Sequence, residues 1–141
     1  MTNSTPLHGK CLCEKVQISL VASEASFDVC HCGMCRRWGG GPALTLEATT
    51  QVSIKGEEWI SRYDSSDWAE RAFCKSCGTH LFFRLKRTGY QNFSLGLFDE
   101  ATGFKMKRQI YIDAKPDQYA FANLTENLTE AQVLAAAQSS T

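Results

Sequence analysis

Cys30-His31-Cys32-Gly33-Met34-Cys35-Arg36-Arg37-Trp38-Gly39-Gly40-Gly41 places three cysteines within six residues. Thiolate is a soft ligand suited to zinc, and three thiolates this close can share one ion from a single tight loop. They leave a fourth position that the loop does not fill. A structural zinc site is normally closed by four protein ligands, whereas a catalytic one keeps a position open to water or substrate. The stretch therefore reads as a three-cysteine zinc site with an exchangeable fourth ligand. The competing reading closes the site with a side chain such as His80 or His8.

The chain around it has 141 residues, 43% of them hydrophobic and 21% charged, which indicates one soluble domain. Lys plus Arg equals Asp plus Glu at 15 each, so no net field draws polyanions or membranes. Neither nucleic acid nor membrane is expected as a partner. No apolar run approaches the length of a bilayer span. Residues 1–6 read as a loose leader without the charged and apolar regions of a signal peptide. A cytoplasmic location is the expectation. The seven cysteines are odd in number and closely spaced, as Cys11-x-Cys13, Cys30-x-Cys32-x-x-Cys35 and Cys74-x-x-Cys77. In a reducing compartment such clusters hold metal or do redox chemistry more often than they form a disulfide framework.

Strand signals run through the rest. Val16, Ile18 and Leu20 alternate with polar residues, and Phe27 and Val29 lead into the central loop. Ala43 to Glu47, Val52 to Ile54 and Trp59 to Tyr63 read as strands. Ala69 to Phe73 and His80 to Leu85 flank Cys74-Lys75-Ser76-Cys77-Gly78 as a strand–knuckle–strand hairpin, with Gly78 suited to a positive φ. Residues 91–98 and 106–112 supply two more strands. Trp59, Trp68, Phe93 and Phe98 are read as core, and Met34 as packing or loop filler rather than a ligand. The one strong helix signal is terminal: Thr129-Glu130-Ala131-Gln132 fits a capping box, and Ala131 to Gln138 are good helix formers. An all-β domain spanning 1–141 is expected, with 123–141 a peripheral helical tail.

Cys11/Cys13 and Cys74/Cys77 qualify as the two knuckle pairs of a four-cysteine site, which leaves Cys30, Cys32 and Cys35 as a set of three. Spacing does not force this partition. Cys11/Cys13 with two of the middle cysteines is equally allowed.

The ordered set Gly9-Lys10-Cys11-Leu12-Cys13, Cys30-His31-Cys32-Gly33-Met34-Cys35-Arg36 and Arg71-Ala72-Phe73-Cys74-Lys75-Ser76-Cys77-Gly78 resembles the glutathione-dependent formaldehyde-activating enzyme family. Ile110-Tyr111-Ile112-Asp113-Ala114-Lys115-Pro116 resembles that family's last strand and turn, so the likeness runs from residue 9 to about 121. The resemblance implies a β-tent fold with two zinc ions. Cys11, Cys13, Cys74 and Cys77 would hold a structural ion. Cys30, Cys32 and Cys35 would hold a second, open to the sulfur of glutathione as co-substrate. It implies a carbon–sulfur lyase joining glutathione to formaldehyde or a related aldehyde, or reversing that addition. The partners would then be a small thiol and an aldehyde, and a homodimer stays open.

Arg36 and Arg37 follow the last ligand directly. They could offset thiolate charge or pair with glutathione carboxylates, for which Arg has a matched fork. His31 is read as turned away from the ion, which favours a structural hydrogen bond or exposure over a general base. Two other functions compete: a non-catalytic zinc-ribbon interaction module, and a thiol redox sensor in which Cys30, Cys32 and Cys35 release zinc and oxidise.

Overall fold

The computed structural model describes residues 6–139. In chain order the strands are β1 Pro6–Lys10, β2 Gln17–Ala22, β3 Ser26–Cys30, β4 Ala43–Lys55, β5 Ile60–Asp64, β6 Ala69–Cys74, β7 His80–Leu85, β8 Gln91–Ser94, β9 Lys105–Ile110 and β10 Glu126–Leu128. The helices are α1 Gly33–Gly39 and α2 Glu130–Ser139. The mostly β architecture with a short terminal helix is the one the residues predict. Of the expected leader, residues 1–5 lie outside the described residues and Pro6 opens β1.

The chain forms two compact units, one holding the chain up to Ala25 with Thr45–Phe104, the other Ser26–Leu44 with Lys105 onward. In the first unit every pairing is antiparallel: β1 on β2, β2 on β4, then β4–β8–β7–β6–β5 in spatial order. The alternation in β2 buries Ile18, Leu20 and Ala22. Phe82 and Phe93 face each other across β7 and β8 with ring centroids 5.5 Å apart. Phe93 is wholly buried, which contributes roughly 2–3 kcal/mol. Leu7, Val16, Leu46, Leu81 and Phe98 complete this core. Phe93 and Phe98 are core as expected, but Trp68 is 56% exposed and Trp59 only half-buried. Trp68 follows the polar Asp64-Ser65-Ser66-Asp67 turn, which carries it past the packed face.

In the second unit β9 is the middle of three parallel strands, flanked by β3 and β10. Val29 and Met106 are buried there, and Asp28 pairs with Arg108 at 3.1 Å. The Thr129 capping box forms as read. Gln132 N donates to Thr129 Oγ1 at 3.2 Å, and Thr129 N donates to Gln132 Oε1 at 2.8 Å.

Four local expectations change. The strands expected over 91–98 and 106–112 end earlier, at Ser94 and Ile110, and 3-10 helices follow at Leu95–Leu97 and Ile112–Ala114. The segments 43–47 and 52–54 form one strand, β4; β-branched Thr49 lies in the gap between them and suits an extended backbone. The central stretch is no loop beyond Cys32. It turns into α1, capped by Cys32 at its start and ended by Gly40 at φ 86.

Candidate metal centres

The first cysteine set lies within the first unit. After β1 the chain makes a knuckle in which Cys11 N donates to Val16 O and Glu14 N to Cys11 O, both at 3.0 Å. Glu14 takes φ 68 to allow it. β6 ends at Cys74, and the second knuckle is closed by Gly78 N to Cys74 O at 2.7 Å, with Gly78 at the expected positive φ, 82. Thr79 joins the two. Its Oγ1 accepts from Leu12 N at 3.1 Å, which leaves its proton for Cys77 Sγ at 3.2 Å. Lys15 Nζ adds a second tie to Ser76 Oγ at 3.1 Å.

These ties bring the sulfurs of Cys11, Cys13, Cys74 and Cys77 within 4.8 Å of one another. Cys11–Cys13 measures 3.6 Å and Cys13–Cys74 3.8 Å. A tetrahedron with zinc–sulfur bonds of ~2.3 Å has edges of ~3.8 Å, so the set fits that ion. Of the two partitions the spacing allowed, the fold selects this one. The thiols differ in readiness to ionise. Burial pushes Cys11 up to about 11. The Thr79 hydroxyl and backbone N–H bring Cys77 down to about 5, and a backbone bond from Lys15 lowers Cys13.

The second set lies within the second unit. β3 delivers Cys30 opposite Ile110 of β9, and His31 N donates to Ile110 O at 3.1 Å. Cys32 caps α1, its Sγ accepting from Cys35 N at 3.3 Å. The three sulfurs lie within 4.8 Å of one another, and among the described residues no His, Asp, Glu or further Cys joins them. Neither His80 nor His8 closes the group. His8 is engaged by Glu100 through its N–H at 2.6 Å and its Nδ1 at 3.2 Å. Cys30 is held far above the ordinary thiol range by hydrogen-bonding contact with the Cys32 and Cys35 sulfurs, then by burial. A thiol so placed against two other sulfurs gives up its proton when a cation takes the proton's place, which is the chemistry of a metal-binding donor set.

His31 is 0% exposed. Its Nδ1 meets Tyr119 Oη at 2.9 Å and its Nε2 meets Gln109 Oε1 at 2.8 Å. Of the readings made for it, the structural hydrogen bond is the one found, and exposure is not. Burial lowers its pKa. Arg36 is half-buried and its Nε donates to His31 O at 3.0 Å, while Arg37 is exposed. Met34 is 46% exposed and so does not pack in the core, because α1 turns it outward. Tyr111 stands in the Ile110–Pro116 stretch, where the sequence pointed to a strand and turn and to no role at the site. It takes φ 54, an uncommon backbone for an aromatic residue, directly after the Ile110 that pairs with Cys30. Burial raises its pKa, with further pushes from Cys30, Cys32 and Cys35.

Comparison with known proteins finds relatives along most of the chain. The profile of the family described as glutathione-dependent formaldehyde-activating enzyme matches residues 6–114. An uncharacterized lyase of Schizosaccharomyces pombe is 35% identical over 127 residues, 89% of this chain and 93% of that protein. A Podospora anserina protein, named by inference a glutathione-dependent formaldehyde-activating enzyme, is 30% identical over 84 residues; these are 55% of this chain and 39% of that protein. The crystal structure of a Rhodobacter sphaeroides protein superposes with a TM-score of 0.58 at 22% identity, covering 67% of this chain and 89% of that one, a likeness of fold.

Proposed function

The chain belongs to the glutathione-dependent formaldehyde-activating enzyme family, and we propose that it is a zinc-dependent carbon–sulfur lyase acting on a glutathione–aldehyde adduct. In the reaction the thiolate sulfur attacks the aldehyde carbon, a C–S bond forms, and the carbonyl oxygen takes a proton. The reverse breaks that bond and returns the aldehyde. The observation that carries the reading is the contrast between the two cysteine sets, four sulfurs in one and three in the other.

Cys11, Cys13, Cys74 and Cys77 would hold a structural ion, since four thiolates complete a tetrahedron. Cys30, Cys32 and Cys35 would hold the second ion and leave one position for substrate. A zinc ion bound there would keep a glutathione sulfur ionised near neutral pH and present it to the aldehyde carbon. The three cysteines give the loaded site a net charge of about −1, which a fourth thiolate takes to about −2. Arg36 and Arg37 are the cations next in sequence. Arg36 is anchored through Nε, which leaves its outer nitrogens for charge compensation, and exposed Arg37 is free of burial constraints for a glutathione carboxylate. His31 takes no proton from substrate, because both its ring nitrogens are engaged inside the protein.

Metal content and glutathione titration test the reading together. Protein purified reduced and without chelator should carry two zinc ions per chain and bind glutathione. Cys32→Ser should retain the fold, carry one zinc and lose glutathione binding. One zinc in the native protein, or glutathione binding that survives Cys32→Ser, would overturn it.

A further inference from the structure

We propose that His31 is a positioning residue for the three-cysteine site, and that a C-terminal arm carrying Tyr119 and Thr125 locks its ring in place. This rests on the reading that Cys30, Cys32 and Cys35 hold an ion. Tyr119 and Thr125 lie beyond residues 6–114, the stretch that the family profile matches.

His31 stands between two of the three ligands, so the orientation of its peptide sets the direction of both. Every polar group it owns is held. Its N–H donates to Ile110 O at 3.1 Å and its C=O accepts from Arg36 Nε at 3.0 Å. Its ring is wholly buried between two further partners.

The direction of each ring bond follows from the chain of partners behind it. Thr125 gives its hydroxyl proton to Asn127 Oδ1 at 2.6 Å. Its oxygen is then left to accept from Gln109 Nε2 at 3.0 Å, which turns Gln109 Oε1 towards His31. An amide oxygen only accepts, so His31 Nε2 carries the ring proton and Nδ1 is bare. The bare nitrogen accepts the Tyr119 phenol proton at 2.9 Å. Tyr119 is itself anchored, its carbonyl accepting from Lys115 Nζ, and its ring stacks on His31 with centroids 5.5 Å apart at 25°. Phe121 flanks the same imidazole at 6.1 Å.

One tautomer, one ring orientation and one peptide orientation are thereby selected. Hydrogen bonds made directly to a metal's ligands orient them, and their loss typically costs about 10- to 100-fold in metal affinity or activity; the His31 ring acts one step further back, through the peptide that joins Cys30 and Cys32. The arm is thus part of the site without touching a ligand sulfur.

Tyr119→Phe tests the arm gently, because it keeps the stacked ring and removes only the phenol proton. The readout is zinc transfer from the two-zinc protein to a chromophoric chelator, with Cys32→Ser identifying the phase that belongs to the four-cysteine set. Tyr119→Phe should speed only the other phase, by about tenfold. It should also shift the cobalt(II) absorption bands of the three-cysteine site, taken as the difference from cobalt-loaded Cys32→Ser. Thr125→Val, one partner further back, should do the same more weakly. An unchanged phase, or equal acceleration of both phases, overturns the proposal while the two-zinc reading stands. A native chain that loads no more zinc than Cys32→Ser overturns both.

Discussion

Single residues set the limits of each site. Gly56 stands at φ 86, and a Cβ there would lie 1.9 Å from Lys15 O, inside the first cysteine knuckle. Strain and clash act in the same direction, so Gly56→Ala should cost at least about 2 kcal/mol. Urea denaturation would measure it, and an unchanged midpoint would contradict the contact. His80 supplies a pH dependence. Burial, helped by Arg71, holds its imidazole below the ordinary range. As pH falls through about 6.5 the unfolded chain takes up a proton that the folded chain resists. The associated stability is therefore present above that pH and lost as pH falls towards the folded value. His80→Gln should lower the urea midpoint less than the wild type does between pH ~7.5 and ~5.5. The cysteines were legible because metal chemistry restricts their spacing. Thr79, Gln109 and Tyr119 were not, because hydrogen bonds to residues 67, 78 and 88 positions away leave no local pattern.

At the scale of elements, the hairpin around Cys74 was fully legible, since two β-rich runs meet at a knuckle ended by glycine. The capping box at Thr129 was legible for the same reason: cap and helix formers are adjacent in sequence. Thr129→Ala should cost about 1 kcal/mol locally and speed amide exchange in α2 about fivefold, with exchange in β2 unchanged. Equal acceleration in both elements would show that the cap supports more than its own helix. α1 was not legible because its seven residues lie inside the three-cysteine stretch and its cap is Cys32, one of the three clustered cysteines. Cysteine is not among the usual capping residues, so the ordinary start signal was silent. The glycines after Trp38 carried the stop signal, and the structure uses Gly40 for it. β1 and β10 also escaped notice, one short and taken partly for leader, the other only three residues long.

At the scale of the whole molecule, each cysteine set falls inside one compact unit. Balanced charge argued against nonspecific nucleic-acid binding, and among the described residues no helix is long and apolar enough to cross a membrane. The partition of the cysteines was beyond spacing alone, because the hairpins β1–β2 and β6–β7 each make one knuckle and the long-range pairings β2–β4, β4–β8 and β8–β7 bring the two knuckles together. The two sets also differ in how much chain they bridge. Cys13 and Cys74 stand about sixty residues apart, whereas Cys30 to Cys35 spans six. An ion at the first set closes a long loop in the disordered chain, worth roughly 4 kcal/mol if it acts like a covalent cross-link. An ion at the second set closes almost none. Graded chelation should therefore abolish glutathione binding while the thermal midpoint holds, and the midpoint should fall only when the second equivalent leaves. On the two-zinc proposal, the same element would do two different jobs in one chain. In one place it would shorten the catalogue of shapes open to the unfolded polypeptide; in the other it would leave that catalogue as it was, and could be lost and regained without the protein unfolding.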